Sequence, residues 1–516
     1  FDETLYLYGV DKGWWKKYKY AEWVCTADLA AYSGLPRSLK GATTTLYNLE
    51  VDKSTRDNMS GKRWEDMTKE FQDEVDEYAL KDSELCLKLW QDLEGEWPQM
   101  ERDISLMNRR CVQRGIPINT KLLKKSLVTI NERLFEAENS IPWIDDKPIL
   151  SRQAFNDECK KEGLEPPASL ALTDEDANKW IKENEGKYKW ISAVRDYRRI
   201  NSLKRKLEAF EYATMGDKRY YGGILYHGAH TGRFSGSGGN LNLQNLPRGE
   251  MFGVNLRSLI SPKEGRKLVV VDLSQIEVRT LCWLAEDQDS LDEIKASDDI
   301  YEAFAIRFDK WDKSKGVLKD EDPSLRHLVK TMVLGCGYSV SAGKFALISG
   351  MDEDEAVKAV KLYRTKMKRV VALWNKLQRK LHVAYSLGDE FSIELPSGRS
   401  LDYGKIQTAM QFGRRNYMAL IAKGAKKIPV KLYGGLLTEN ASQALARDIF
   451  SDILTRLENR GMEIIFHVHD EVVIEVDEKD AEKTLDLVIE EMRTPPEWLP
   501  DIPLDAEGKV LDKYEK

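Results

Sequence analysis

Two aspartates stand where apolar runs give out. Asp272 closes Leu268-Val-Val-Val271, a continuous β-branched run that reads as a buried strand. Asp470 lies in His469-Asp470-Glu471, between the apolar runs Ile464–Val468 and Glu471–Val476. Each alone has a plain reading, since a strand-end aspartate often caps a helix or forms a turn. His-Asp-Glu is poor hairpin chemistry beside Asn-Gly or Asp-Gly, however, which points to a position held for another reason. Two carboxylates on adjacent strands repel unless cations sit between them. That arrangement suits two Mg²⁺ ions about 3.5–4 Å apart, one lowering the pKa of an attacking hydroxyl and the other stabilising a leaving pyrophosphate.

Between the two aspartates in sequence comes a third candidate. After Pro323, the residues Arg326, Lys330, Leu334 and Tyr338 recur every four positions and so form one slowly winding helical stripe. Arg326 and Lys330 could grip a triphosphate, the guanidinium forking onto oxygens and the ammonium acting as a point charge. Leu334 and Tyr338 would pack under sugar and base. In isolation such basic spacing is common on exposed helices, and its weight comes from its place between the carboxylates.

The elements that must position these residues follow from periodicity. Residues 1 to about 100 read as short strands mixed with helices, ending in a helix around Glu70–Leu93. A mostly helical stretch follows over 101–215, including a helix from Tyr188 to Tyr212 with Arg195, Arg198, Arg199, Lys204, Arg205 and Lys206. The segment from His230 to Arg248 breaks every period. The strand before Asp272 leads into a helix over Ile276–Leu284. Residues of about 290–430 read as helix-rich, interrupted by a hairpin of Phe391–Leu395 and Ser400–Tyr403 around Pro396-Ser-Gly398. A strand platform thus carries a long helical insertion.

Bulk properties narrow the class. At 516 residues the chain should hold several domains. It has no run of about 18 apolar residues and no opening signal peptide, so membrane association is not expected. Starting at Phe1, it reads as a fragment. The six cysteines are scattered without metal spacing, which argues against zinc or a disulfide scaffold and fits a reducing cytoplasm. The net charge of −7 speaks weakly against nucleic acid, but its distribution is uneven. Lys358 to His382 holds nine cations and no acid, and a second acid-free stretch holds Lys405, Arg414, Arg415, Lys423, Lys426, Lys427 and Lys431. Either could be a solvated face; two in one acidic chain point to phosphate-facing surfaces.

Asp272-Leu-Ser-Gln-Ile-Glu-Val-Arg279, then Arg326 with Lys330 and Tyr338, then His469-Asp470-Glu471, resemble in order the three polymerase motifs of family A DNA polymerases. Thr231-Gly-Arg-Phe-Ser235 through Gln244-Asn-Leu-Pro247 is similar to that family's segment on the primer–template minor groove. Tyr433-Gly-Gly, Glu439-Asn440 with Gln443, Arg447-Asp448 and the Leu395-Pro-Ser-Gly-Arg399 hairpin look like its bacteriophage or prophage branch. The resemblance spans nearly the whole chain. It implies an α+β right-hand fold: a palm with an antiparallel sheet, a helical thumb and fingers, and a partial RNase H-like exonuclease domain in front. The expected bounds are 1–100 for the exonuclease-like part, 101–215 for linker and thumb, 216–290 and 435–516 for the palm, and 291–434 for the fingers.

The same resemblance implies roles. Asp272 and Asp470 would hold two Mg²⁺ ions, with Mn²⁺ as an alternative, and the backbone carbonyl of Leu273 would be a further ligand. Arg326, Lys330, Leu334, Tyr338, Gln275 and Glu277 would bind the deoxynucleoside triphosphate, with Glu277 blocking a ribose 2′-hydroxyl and Lys330 protonating the pyrophosphate. Arg233, Asn242, Gln244, Gln443 and His469 would hold the primer–template, where minor-groove acceptors are similar for every correct pair. Glu471 would support the metal site from its rim. Leu334 replaces the family's usual Phe or Tyr, and Ser339 its usual Gly. Asp2, Tyr78 and Asp82 look like the remnant of a 3′–5′ exonuclease whose first acidic motif is absent, so exonuclease activity is not expected. The implied protein is a monomeric polymerase of phage replication in a bacterial cytoplasm, its accessory partners not legible. A single-subunit RNA polymerase, which Glu277 opposes, and a non-catalytic nucleic-acid-binding relative, which both aspartates oppose, are the alternatives.

Overall fold

Val269, Val270 and Val271 are all buried to within 1% of full burial, which makes Arg266–Leu273 the central strand of a sheet covered on both faces. It lies in a four-stranded antiparallel sheet beside Glu471–Asp477 on one side and Ala506–Leu511 on the other, with Ile464–Val468 outermost. These valines share one core with Leu445, Ile449 and Ile453 of the long helix Gly434–Asn459 and with Val488 and Met492 of helix Ala481–Arg493. The description rests on a computed structural model covering residues 2–17, 23–171, 174–214, 216–236, 241–411, 413–423 and 426–515.

The helical insertion has its own core. Val278 and Leu281 of helix Ile276–Leu284 pack with Val329, Met332 and Val333 of helix Pro323–Cys336 and with Tyr363 and Trp374 beyond it. A separate cluster around Trp143, Phe155 and Trp190 closes the region before the basic helix Lys189–Ala213. Among the described residues, no helix is long and apolar enough to cross a membrane, and all six cysteines are free thiols.

Three expectations need correction. The first hundred residues contain helices only, among those described. The Thr-rich stretch there favours strand by composition, but Ser38 caps helix Leu39–Tyr47 by accepting from Gly41 N at 3.1 Å, and Asn48 ends it with φ 54°. The second basic stretch is not helical either. It forms a three-stranded antiparallel sheet of Gln407–Gln411, Arg414–Lys423 and Lys426–Leu432. Tyr417, Ala419 and Ile421 alternate toward the core beside helix Lys368–Leu387, while Pro429 is confined to an edge strand, where its missing N–H costs no ladder bond. Finally, the stripe after Pro323 stops short of Tyr338, because the helix ends at Cys336.

Candidate active site

The register places Asp272 directly opposite Glu471 on one neighbouring strand and Glu507 on the other. Leu273 N donates to the Asp470 carbonyl at 3.1 Å, which ties the turn to the end of the central strand. His469 makes that turn with φ 55°, a left-handed conformation that favours glycine, so a histidine there carries backbone strain. Asp272 and Asp470 therefore meet at one end of adjacent strands. Glu471 is buried and accepts a hydrogen bond from the Tyr514 hydroxyl at 2.6 Å. Arg257 reaches that hydroxyl at 3.4 Å and also donates to the Leu246 carbonyl at 3.0 Å. Glu471 is thus anchored from behind, by a tyrosine two residues from the last one.

Among the described residues, no three His, Cys, Asp or Glu side chains converge into a complete metal cage. This donor set fits Mg²⁺, which keeps several waters and is usually held by one or two carboxylates plus substrate phosphates. It does not fit a closed structural zinc site.

Two cavities meet at the turn. One of about 380 Å³ is lined by Arg233, Gln244, Gln275, Glu277, Leu334, His469 and Asp470, among others. The second, of about 290 Å³, is lined by Gln244, Asp272, His469, Asp470, Glu471 and Tyr514 with their neighbours. Seven residues expected at the site from sequence therefore share the first cavity, and the turn joins it to the acidic edge. Gln275 enters helix Ile276–Leu284 with φ 47°, a second strained residue at the same wall. Two positions on, Glu277 forms an ion pair with Arg233. Burial pushes the His469 imidazole below its usual range, and Arg233 adds to the effect, so the ring is neutral at pH 7 and can donate or accept.

Helix Pro323–Cys336 opens with Pro at its first turn, and the Asp322 side chain accepts from Leu325 N at 2.9 Å. Arg326 pairs with Asp299, Nε to Oδ2 at 2.5 Å, and sits 5.2 Å from the Tyr301 ring centroid; exposed Lys330 lies 5.8 Å from the same ring. Neither cation lines the cavity, whereas Leu334 does. Tyr338, past the helix end, brings its hydroxyl 3.4 Å from Ser442 Oγ on the long helix. Ser339 follows with φ 64°, so this serine occupies the conformation for which the family's glycine is suited.

Other expected residues are placed as follows. Asn242 caps the short turn Leu243–Asn245, accepting from Gln244 N at 3.0 Å, and buried Gln244 lines both cavities. Gln443 donates to Glu439 at 3.3 Å, one turn before the cavity-lining Ala446 and Arg447. Tyr78 and Asp82 are brought together, but Lys53 Nζ lies between them, 2.9 Å from the hydroxyl and 3.2 Å from the carboxylate. Asp2 begins helix Asp2–Asp11, and Phe1 lies outside the described residues. The neighbours that sequence reading missed are Asp299 and Tyr301 beside Arg326, Tyr514 behind Glu471, and Glu101 beside Arg447 at the middle of the long helix. Only their partners carried any signal.

The comparisons with known proteins agree with this geometry. Residues 151–391 match the family model "DNA polymerase family A". The chain is 27% identical to the DNA polymerase of Bacillus phage SP02, over 96% of this chain and 86% of that protein. It is 24% identical to the thermostable DNA polymerase I of Thermus aquaticus, over 82% of this chain but only 49% of the longer enzyme. Its fold is similar to the POL domain of Pol1 from M. smegmatis, solved with DNA primer–template and dNTP, with TM-score 0.68 and 20% identity over 95% of this chain and 81% of that one. The four-stranded sheet with its helical insertion is thus the fold of a polymerase domain. The residues that match the family model include Asp272, Arg326, Lys330 and Tyr338, and the relatives that span most of the chain are DNA polymerases.

Proposed function

We propose that the chain extends a primer 3′-hydroxyl with deoxynucleoside triphosphates by a two-metal mechanism, as a monomer in phage DNA replication. The observation that carries this reading is the meeting of Asp272 and Asp470 at one end of the central sheet, beside a cavity walled by Glu277 and His469. Asp272, Asp470 and the Leu273 carbonyl would hold two Mg²⁺, or Mn²⁺ in its place. When bound, such ions supply hydroxyl activation and stabilisation of pyrophosphate charge.

The chain's own residues do the rest. Arg326 exchanges the Asp299 carboxylate for phosphate oxygens as its helix closes over the nucleotide. Lys330, one turn on, neutralises the leaving pyrophosphate and donates a proton to it. Leu334 packs below the sugar and Tyr338 beside the nascent base pair, with Gln275 at the nucleotide's flank. Glu277 releases Arg233 when DNA arrives: the carboxylate then excludes a 2′-hydroxyl, and the guanidinium reads the primer terminus with His469 and Gln443. Asn242 and Gln244 hold the template side. Glu471, fixed by Tyr514, keeps the Asp470 turn in place. Similarity to the phage SP02 enzyme supports a role in phage replication in the host cytoplasm. The chain synthesises without cleaving, a reading that the Lys53 clasp on Asp82 supports.

Extension of a labelled primer with Mg²⁺ tests the reading. Asp470→Ala should lose roughly 10³-fold or more in rate, because a charged ligand of the reacting centre is gone. Equal extension by both proteins would refute the metal assignment. Glu277→Ala should admit ribonucleotides, and a wild-type preference for ribonucleotides would make the chain an RNA polymerase.

A further inference from the structure

The hairpin Leu395–Arg399 and the pair Arg447-Asp448 lie outside the mechanism above, yet their side chains converge on the loop that carries Arg233. Arg399 is 4% exposed and spans two elements. Its Nε lies 3.0 Å from Asp448 Oδ1, and its Nη2 donates to the Thr231 carbonyl at 2.9 Å. Gly232 follows with φ +82°, and a Cβ there would fall 2.8 Å from Arg399 Nη1, so the loop backbone rests on the guanidinium where only glycine fits. Arg447 fixes the other side of the loop. It pairs with Glu101 at 2.5 and 2.9 Å and with Asp448 at 3.1 Å, and its guanidinium lies 5.6 Å from the Phe234 ring. Thr231 and Phe234 are thus both held by arginines, and Arg233 leaves the loop between them toward the cavity.

The cluster balances its charge, with two guanidiniums against two carboxylates. Burial opposes ionisation of Glu101, but Arg447 and then Arg399 hold its carboxyl down at about 2. A lysine could keep the charge of Arg399 but not the planar fork that reaches carboxylate and carbonyl together.

We propose that Arg399 is a positioning residue for primer-terminus discrimination, acting through the Thr231–Phe234 loop to aim Arg233. The inference rests on the reading of Arg233 as a contact to the primer terminus. A merely structural arginine would change stability and scale all extension rates alike.

The test is single-nucleotide extension of primers with matched and mismatched 3′ termini, resolved into kcat and KM, for Arg399→Lys in wild-type and Arg233→Ala backgrounds. A 1 Å misplacement costs about 100-fold in favourable cases, so Arg399→Lys should lower kcat on matched termini about 10- to 100-fold. The matched-to-mismatched ratio should shrink with it, and no further shrinkage should appear in the Arg233→Ala background. An equal proportional loss on both termini would overturn the proposal. An unchanged ratio in Arg233→Ala alone would instead refute the reading of Arg233, and this proposal with it. Should Arg399→Lys fail to fold, Gly232→Ala pushes the loop off the same guanidinium and must reproduce the narrowed ratio; a ratio equal to wild type there also overturns the proposal.

Discussion

Acids gather in two places around the palm core, and they behave differently. Glu101 and Asp448 are buried and close their charges onto Arg447 and Arg399. Asp272, Asp470 and Glu471 gather at the ends of adjacent strands, where Glu471 is held by a neutral tyrosine and Asp470 opens onto both cavities. Charges that neutralise one another inside a core hold elements together, whereas acids presented to a cavity can take up a ligand from outside. The same contrast explains why Tyr78 and Asp82 read as structure here, since Lys53 already supplies the cation.

The sharpest way to break the comparison is to neutralise one acid at each place. Asp272→Asn should lower kcat by roughly 10³-fold or more. Its urea midpoint should stay level or rise, because like charges no longer face each other across the strands. Single-turnover extension and urea unfolding on the same preparation check both halves. At the buried cluster the order reverses. Arg447→Met leaves Glu101 and Asp448 short of a cation and should cost about 3–5 kcal/mol of stability. Adding Glu101→Met should recover much of that loss, since replacing both partners avoids a stranded charge. If Arg447→Met unfolds at the wild-type urea concentration, the cluster is not holding the fold.

The parts of this molecule that were legible in sequence are those with strong period or rigid punctuation. Helix Ile276–Leu284 and strand Ile464–Val468 have the predicted bounds, and the strand after Asp470 runs one residue past its predicted end to Asp477, because apolar runs end abruptly at polar residues. Asp272 and Asp470 were readable because a carboxylate after Val-Val-Val, or in a turn without glycine, needs a reason. The sheet of Gln407–Leu432 was not readable as such. Its cations suggested an exposed helix face, and the alternation of Tyr417, Ala419 and Ile421 is partly hidden by apolar Met418 and Leu420 on the opposite face. Tyr514 and Glu101 were invisible for another reason: each acts through a partner far off in sequence, Glu471 for Tyr514 and Arg447 for Glu101, and no local pattern marks such a contact. Leu334 faces the cavity as its spacing implies, but Tyr338 does not share its helix, which ends at Cys336 and gives way to a turn in which Ser339 takes φ 64°.

A third prediction concerns acid. His467 is buried between Phe234 and Phe450, with Nε2 3.4 Å from Asn108 Oδ1, and burial pushes its imidazole down to about 3. Between pH 6.5 and about 3 the unfolded chain binds a proton that the folded one refuses, so stability rises with pH in that window and falls on acidification. The contribution approaches 1.4 kcal/mol per pH unit for one such group. Glu101 adds a second loss, from its ordinary carboxylate range down to about 2. Urea midpoints from pH 7 to pH 4 should fall for the wild type and fall less for His467→Phe; parallel slopes would remove His467 from the account.

The smallest expected effect probes the boundary between the two kinds of acid. Tyr514→Phe deletes one hydroxyl and leaves its ring against Phe466, 5.2 Å between centroids, so the terminal segment should stay docked. One hydrogen bond to a charged group is worth about 1.5–3 kcal/mol at most, and Glu471 can recover part of it from water at the neighbouring cavity, so a stability loss of about 1 kcal/mol is expected. Rate should respond more than affinity. Freeing Glu471 loosens the strand end opposite Asp272, and with it the turn whose Asp470 carbonyl meets Leu273 N. We therefore expect kcat to drop several-fold, the KM for nucleotide to hold, and the Mg²⁺ concentration for half-maximal rate to rise. A change in stability alone, with kcat and the Mg²⁺ dependence untouched, would place Glu471 with the structural acids after all.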